Sequence, residues 1–450
     1  MSNQPPLADR HVGTKWTAIA LSALGVAMLL LYRIAVHSEG VADIAWFLKL
    51  VVLQVIIYLT VARLSLRSGD SRSLLVIGLV FAALFRLSII FYPPYLSDDI
   101  YRYIWDGRVQ FAGINPYRYI PADESLAELR DEKIYPNINR RDYAHTMYPP
   151  VAESVFLLIT RFSESVTWMK AAMVGFEAIA IWAIIQVLIS FGFARQRVLI
   201  YAWHPLAVRE FAGSGHLDAL AIAFIALALL ARRKQSQTLT GVLLACATCV
   251  KLFPAVLFPA LYIRRSWKMP LAFVVTVLIA YLPYLSVGPL GVLGFFPGYA
   301  SERGMVSGEQ FFLLALARRF LNANLPVLAY LIFVIAVLAT LSFWLMQNQR
   351  SDGPRYLRNG LIMASLFMVL LAPHFSWYFA WMMPFLCFIP SVPVFYLTLA
   401  SFLLYLTWLN DSPGRVLLLK TFIFGPFLIL GLLIIGLRRK VSDHVMEDLE

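Results

Sequence analysis

Long apolar runs alternate with short polar breaks along nearly the whole chain. The runs fall at about 17–36, 42–62, 74–93, 166–190, 198–212, 216–232, 238–250, 252–263, 270–286, 326–346, 360–373, 376–390, 392–409 and 416–437. About 20 apolar residues in helical form span a bilayer. Several runs are shorter, so half-helices, re-entrant pieces and longer helices with blurred ends all fit them. The pattern predicts an all-α polytopic integral membrane protein with roughly 12–14 transmembrane helices. It reads as a single membrane domain over 1–450 rather than a string of soluble domains.

Composition strengthens that reading. Sixty per cent of residues are hydrophobic and 14% charged, against roughly 25% charged in soluble domains. The net charge of +12 raises the question of nucleic acid. The cations, however, sit in short clusters between apolar runs, as in cytoplasmic loops, and no nucleic-acid partner is expected. Cys246, Cys249 and Cys387 lie in apolar runs and imply no disulfide framework.

The cation clusters also orient the chain. Arg63, Arg67 and Arg72; Arg195 and Arg197; Arg232, Arg233 and Lys234; Arg264, Arg265 and Lys268; Arg350, Arg355 and Arg358; and Arg438, Arg439 and Lys440 all fall on one side when each run crosses once. That side is expected to be cytoplasmic, with both termini on it. Residues 1–73 then form an N-terminal helix hairpin and its cytoplasmic loop. Loops 94–148 and 287–325 face outward. The first carries nine acidic and seven basic side chains and is the one long polar insertion; loops of that length are usually functional. Segment 149–163 is apolar but short, and is expected to lie along the outer interface, giving an extracytoplasmic region over 94–163.

The richest chemistry is Ser97-Asp98-Asp99-Ile100-Tyr101-Arg102-Tyr103-Ile104-Trp105-Asp106-Gly107-Arg108. Read as a helix, Ser97 is the N-cap, Asp98 and Asp99 occupy the first turn, and Asp99, Arg102, Tyr103 and Asp106 share one face. Gly107 and Gly113 are expected to end it. An ordinary capped amphipathic helix with salt bridges fits equally well. His216 and Asp218 follow the glycine-rich break Gly213-Ser214-Gly215, just after Arg209 and Glu210. Ionisable groups at membrane depth usually face a cavity or a partner; here an Arg209–Glu210–Asp218 network tying two helices competes with a site. Lys251 either snorkels to the outer surface or meets a phosphate. His374, in Pro373-His374-Phe375-Ser376-Trp377-Tyr378, belongs either to an interfacial aromatic belt or to the site. Glu302 and Arg303 lie in the second outer loop. Asp99, Lys251, Glu302 and His374 all gather on the sparsely charged face, which independent structural charges have little reason to do.

Taken together, SDDIYRYIWDGRVQFAGINPYRY at 97–119, MYPPVAE at 147–153, GSGHLDALAI at 213–222, KLFPAVLFPAL at 251–261 and PHFSWYFAWMMPF at 373–385 resemble the GT-C class of membrane glycosyltransferases. The likeness is to bacterial polyprenyl-phosphate-mannose-dependent mannosyltransferases. It implies a GT-C-like helical fold in the bacterial inner membrane, with an extracytoplasmic active site. The expected reaction moves a hexosyl, mannosyl by resemblance, unit from a polyprenyl-phosphate donor to the hydroxyl of a glycolipid, glycan or other acceptor, with inversion. The resemblance places the catalytic acidic residue, expected to act as general base, at Asp99, with Asp98 its rival. Arg102, Lys251, His374, Arg303, His216, Asp218 and Tyr378 are the candidates for binding donor phosphate and sugar. No cofactor is expected to be required, although two aspartates leave a divalent metal open. Here three runs precede the loop where the class usually has one. The rival reading is a secondary transporter or flippase-like protein, which predicts internal repeats and ligand groups at the midplane; no repeat is visible.

Overall fold

The computed structural model describes residues 7–36, 43–94, 96–348 and 353–447. Arg350 and the two chain ends, used above for orientation, lie outside these, as do the side chains of Arg438, Arg439 and Lys440. The described chain is helical and contains no strand. It opens with α1 (Leu7–Val36), α2 (Ile44–Arg67), α3 (Arg72–Ile89), α4 (Asp99–Phe111), α5 (Pro150–Thr160) and α6 (Val166–Ser190).

Among the described residues seven helices are long and apolar enough to cross a membrane. They lie within α1, α2, α3 and α6, and at Lys268–Val287, Val327–Asn348 and Pro413–Gly436. The polytopic all-α class therefore holds. The remaining predicted runs are shorter or broken. Run 198–212 becomes Leu199–Ala202, Pro205–Ala207 and a π-helical turn, Val208–Gly213. Runs 252–263 and 376–390 are 3-10 segments that pass into single α-turns. Prolines at 205, 254, 259 and 384 account for the breaks, because each lacks the N–H that an i→i−4 ladder needs.

Helix ends follow local chemistry. Ser165 Oγ accepts from Trp168 N–H at 3.1 Å and starts α6 where the apolar run starts. Ser71 does the same for α3 through Leu74 N–H at 3.4 Å. The packed centre is α6 with Leu199–Gly213 and Asp218–Arg233, where Ile184, Trp203 and Ile222 are fully buried. Lys268–Val287 and Val327–Asn348 instead turn apolar side chains outward, Leu278 being 62% and Ile335 66% exposed. A water-soluble surface rarely carries such faces; lipid covers them.

The region over 94–163 rests on the α4–α5 pair. Tyr103 stacks on Phe156, with centroids 4.6 Å apart and planes at 11°. Gly107 does not end α4 as expected but lies inside it. A Cβ there would come within 2.5 Å of Thr160 Oγ1 and 2.7 Å of the Phe156 carbonyl, so the glycine lets α4 lie directly on α5. The helix ends instead at Ala112 and Gly113, the latter at φ +79°. The N-cap also shifts by one: Asp98 holds that position, and Ser97 Oγ accepts from Asp99 N–H at 3.3 Å.

Candidate active site

A cavity of about 680 Å³ opens where α4, both outer loops and the turns near Lys251, His374 and Trp408 converge. Asp98, Asp99, Arg102, Lys251, Arg303, His374 and Tyr378 all line it. His216 and Asp218 stand directly behind this wall and touch its residues. The far end of the bundle carries basic turns instead. There Arg195 pairs with Asp70 at 2.8 Å, beside the start of α3 and away from the cavity.

Asp99 begins α4, where helix-terminal N–H groups favour an anion. Its side chain remains 26% exposed. Its pKa lies above the usual carboxylate value, chiefly because the cavity walls strip away water and then because Asp98 repels a second negative charge. Asn139, Lys251 and Arg140 act in the opposite direction. Asn139 Nδ2 donates to Asp99 Oδ1 at 2.8 Å and to Asp98 Oδ1 at 2.7 Å. The other oxygen, Asp99 Oδ2, lies 3.9 Å from His216 Nδ1.

His216 is placed by backbone geometry. The π-helical turn ends at Gly213, and Gly215 takes φ +76°, which a side chain would strain. The His216 ring then lies over Trp377, with centroids 4.0 Å apart. Its Nε2 is 3.4 Å from Glu210 Oε2, while Glu210 Oε1 accepts from the Tyr405 hydroxyl. The expected Arg209–Glu210–Asp218 network does not form. Arg209 donates to Gln54 at 2.9 Å, and Asp218 pairs instead with Lys251 Nζ at 2.7 and 2.8 Å. Lys251 also sits over the Tyr378 ring at 4.1 Å. It faces the cavity rather than the outer surface.

The remaining cations differ in how far they are already engaged. Arg102 is buried, donating to Asp106 at 2.8 Å and to the Ala144 carbonyl at 3.0 Å. Arg140, which was not singled out from sequence, pairs with Glu302 at 2.7 Å, and the Tyr143 hydroxyl donates to Glu302 at 2.9 Å. Arg303 has no carboxylate partner among the described residues. Its guanidinium lies 4.5 Å from the Phe375 centroid and 5.5 Å from that of Tyr299, and its Nε is buried without a hydrogen bond. His374 Nδ1 is 3.3 Å from Gln310 Oε1, and Lys420 Nζ holds that glutamine through its carbonyl at 2.6 Å. Tyr378 and Tyr299 join hydroxyl to hydroxyl at 2.9 Å. Sequence reasoning missed Asn139, Arg140 and Tyr299. Only their position in the long polar loops pointed toward them.

The fold and cavity define a polytopic helical membrane protein with a cavity lined by carboxylates, cations and aromatic rings. Residues 13–265 match the model of the MptA/B family, described as alpha-(1->6)-mannopyranosyltransferase, N-terminal domain, and the chain belongs to this family. It is a mannosyltransferase, acting on a sugar donor and an acceptor at a membrane, and the transporter reading gives way. The matched span contains Asp99, Asn139, His216 and Lys251; Arg303, His374 and Tyr378 lie beyond it. No curated protein matches the chain.

Proposed function

We propose that the cavity transfers mannose from a polyprenyl-phosphate donor to an acceptor hydroxyl in one inverting step, with Asp99 as the general base. The observation that carries this reading is Asp99 with one oxygen held by Asn139, in the same cavity as Arg303 and Lys251.

The acceptor oxygen attacks the anomeric carbon. Its proton passes to Asp99 as the bond from that carbon to the phosphate oxygen breaks. The electron pair leaves with the lipid phosphate, so a phosphodiester monoanion becomes a dianion and Asp99 becomes neutral. No acid is needed to protonate such a leaving group. What lowers the barrier is positive charge placed where the new negative charge develops. The available cations suit that change. Asp218 already balances Lys251 and Glu302 balances Arg140, while Arg303 has no such partner. Arg303 is therefore the cation left to meet the monoanionic donor, with Lys251 at hand for the added charge. Tyr378 would pack at the sugar or phosphate beside Lys251, and His374, whose Nδ1 proton is engaged by Gln310, would accept from a sugar hydroxyl through Nε2. Attack from the face opposite the leaving group converts a β-linked donor into an α-linked product. The family description names an alpha-(1->6) linkage, so the acceptor is inferred to present a primary hydroxyl. The basic turns at the other end of the bundle support an extracytoplasmic cavity.

The donor class is tested with purified protein in detergent and radiolabelled polyprenyl-phosphate-mannose or a nucleotide-linked mannose, each with a mannosyl acceptor. Transfer from the lipid phosphate alone supports the proposal. Transfer from the nucleotide sugar alone overturns it.

A further inference from the structure

Two adjacent aspartates at the start of α4 line one cavity, and something must decide which carboxylate oxygen accepts the proton. We infer that Asn139 is the positioning residue: its amide bridges Asp98 and Asp99 and leaves Asp99 Oδ2 as the oxygen presented to the acceptor. This rests on the reading of Asp99 as the base.

The geometry is specific. Both partners of Asn139 are carboxylate oxygens, which only accept, so the amide must turn its NH2 toward them. Its two protons then serve Asp98 Oδ1 at 2.7 Å and Asp99 Oδ1 at 2.8 Å. Hydrogen bonds to ionised acceptors are among the stronger ones in proteins and constrain rotation about the carboxylate. With Oδ1 of each residue occupied, Asp99 Oδ2 is left near His216 Nδ1 at 3.9 Å.

Asn139 is itself held firmly. Ile134 and Ile138, on the segment leading to it, are buried in the main core. The following residue, Arg140, adopts a left-handed φ of +53°. Strained backbone of this kind persists where the surroundings enforce it, often at functional sites. Here they do so through the second outer loop. Arg140 and Tyr143 both bond Glu302, and the Thr146 carbonyl accepts from Phe295 N–H at 3.1 Å. The strap over 138–146 therefore delivers an amide to the aspartates from a distant part of the chain.

The clamp has a chemical consequence distinct from packing. Asp99 interacts with Asp98 on its own helix, Asn139 and Arg140 on the strap, Lys251 and His216 from the bundle, and the hydroxyls of Tyr103, Tyr148, Tyr299 and Tyr378. Of these, Asn139, Lys251 and Arg140 favour the ionised form. Removing the amide raises the Asp99 pKa further, so the base is protonated over a wider acid range.

The test is the pH profile of kcat/KM for radiolabelled polyprenyl-phosphate-mannose, with full-length wild type, Asn139→Ala, Asn139→Asp and Asp99→Asn. Asn139→Ala is expected to move the acid limb up by about one pH unit, which costs up to roughly tenfold at pH values on that limb. Much of the activity should return at alkaline pH, and donor KM should change little. Asn139→Asp, which adds a charge, should move the limb further in the same direction. If Asn139→Ala fails to yield folded protein, Asn139→Ser keeps one donor and should show an intermediate shift. A loss equal at every pH, or no loss, overturns the inference. Asp99→Asn separates the two readings. If it remains active, the base assignment fails. If it is inactive while the Asn139 variants keep the wild-type profile, only the clamp fails.

Discussion

Two sets of charged side chains lie within this helical bundle, and their surroundings are opposite in kind. Between α3 and α6, Arg86 and Glu177 form a buried pair. Arg86 Nε donates to Glu177 Oε2 at 2.7 Å, a second guanidinium nitrogen meets Oε1, and the third donates to the carbonyls of Ala82 and Ala202 at 2.7 and 3.0 Å. Those contacts occupy all three guanidinium nitrogens, and neither side chain lines the cavity at Asp99. In the cavity at Asp99, among the described residues, Asp99 has one oxygen without a close donor, Arg303 has no carboxylate partner and Arg140 is strained. An ionisable residue at membrane depth is a functional candidate by default. The contrast supplies a sharper criterion: completeness of pairing separates a structural charge from one that awaits a substrate.

The largest expected effect tests the structural side of that contrast. Glu177→Gln leaves Arg86 as an uncompensated buried charge and should cost about 3–5 kcal/mol of stability. Thermal unfolding in detergent measures it. Mannosyl transfer per folded molecule should hold at wild-type level. If stability is unchanged and transfer disappears, the pair belongs to the site and the criterion fails. Replacing both partners, Arg86→Met with Glu177→Leu, should recover most of the loss, because no lone charge then remains.

Next in size is Asp99→Asn, which keeps the shape of the side chain but removes the base. Transfer should fall at least about a hundredfold, equivalent to ~2.7 kcal/mol, with the unfolding temperature unchanged. Arg303→Ala follows, at about tenfold in kcat/KM for the lipid donor. Since Arg303 balances no carboxylate, its loss leaves no buried charge and stability should barely move. A stability loss as large as that of Glu177→Gln would place Arg303 with the structural pairs.

The same contrast explains what could be read from the sequence. Helix α6 matches its apolar run because Ser165 caps an unbroken stretch. The Asp98–Asp99 pair, Lys251, His374 and Tyr378 stood at the outer ends of runs, and the folded chain gathers them around one cavity. Arg86 and Glu177 passed unnoticed because each stands in a long apolar run and only helix packing brings them together. Asn139 was equally hidden. An asparagine in a polar loop has no periodicity, and its partners lie about 40 residues earlier. The run at 376–390 failed as one helix because its contacts form 3-10 turns, which hydrophobic periodicity does not register. Gly107 misled because glycine signals a helix end by propensity, while its place here is set by the close approach of α5.

The smallest effect is the most discriminating, because it concerns two neighbours of the same chemistry. Asp98 and Asp99 both contact Asn139, and the Asp99 pKa is raised first by desolvation and then by repulsion from the Asp98 carboxylate. Asp98→Asn removes that repulsion, so the Asp99 pKa falls and its ionised form persists to lower pH. The acid limb of kcat/KM should therefore move down, opposite in sign to the Asn139 variants. The lower basicity of Asp99 offsets part of the gain in its ionised form, and Brønsted behaviour limits the change above the limb to a few-fold. If Asp98 were the base, the same substitution would remove activity about a hundredfold at every pH. It would leave no limb to shift. The direction of a modest pH shift thus decides between two carboxylates that sequence alone could not separate.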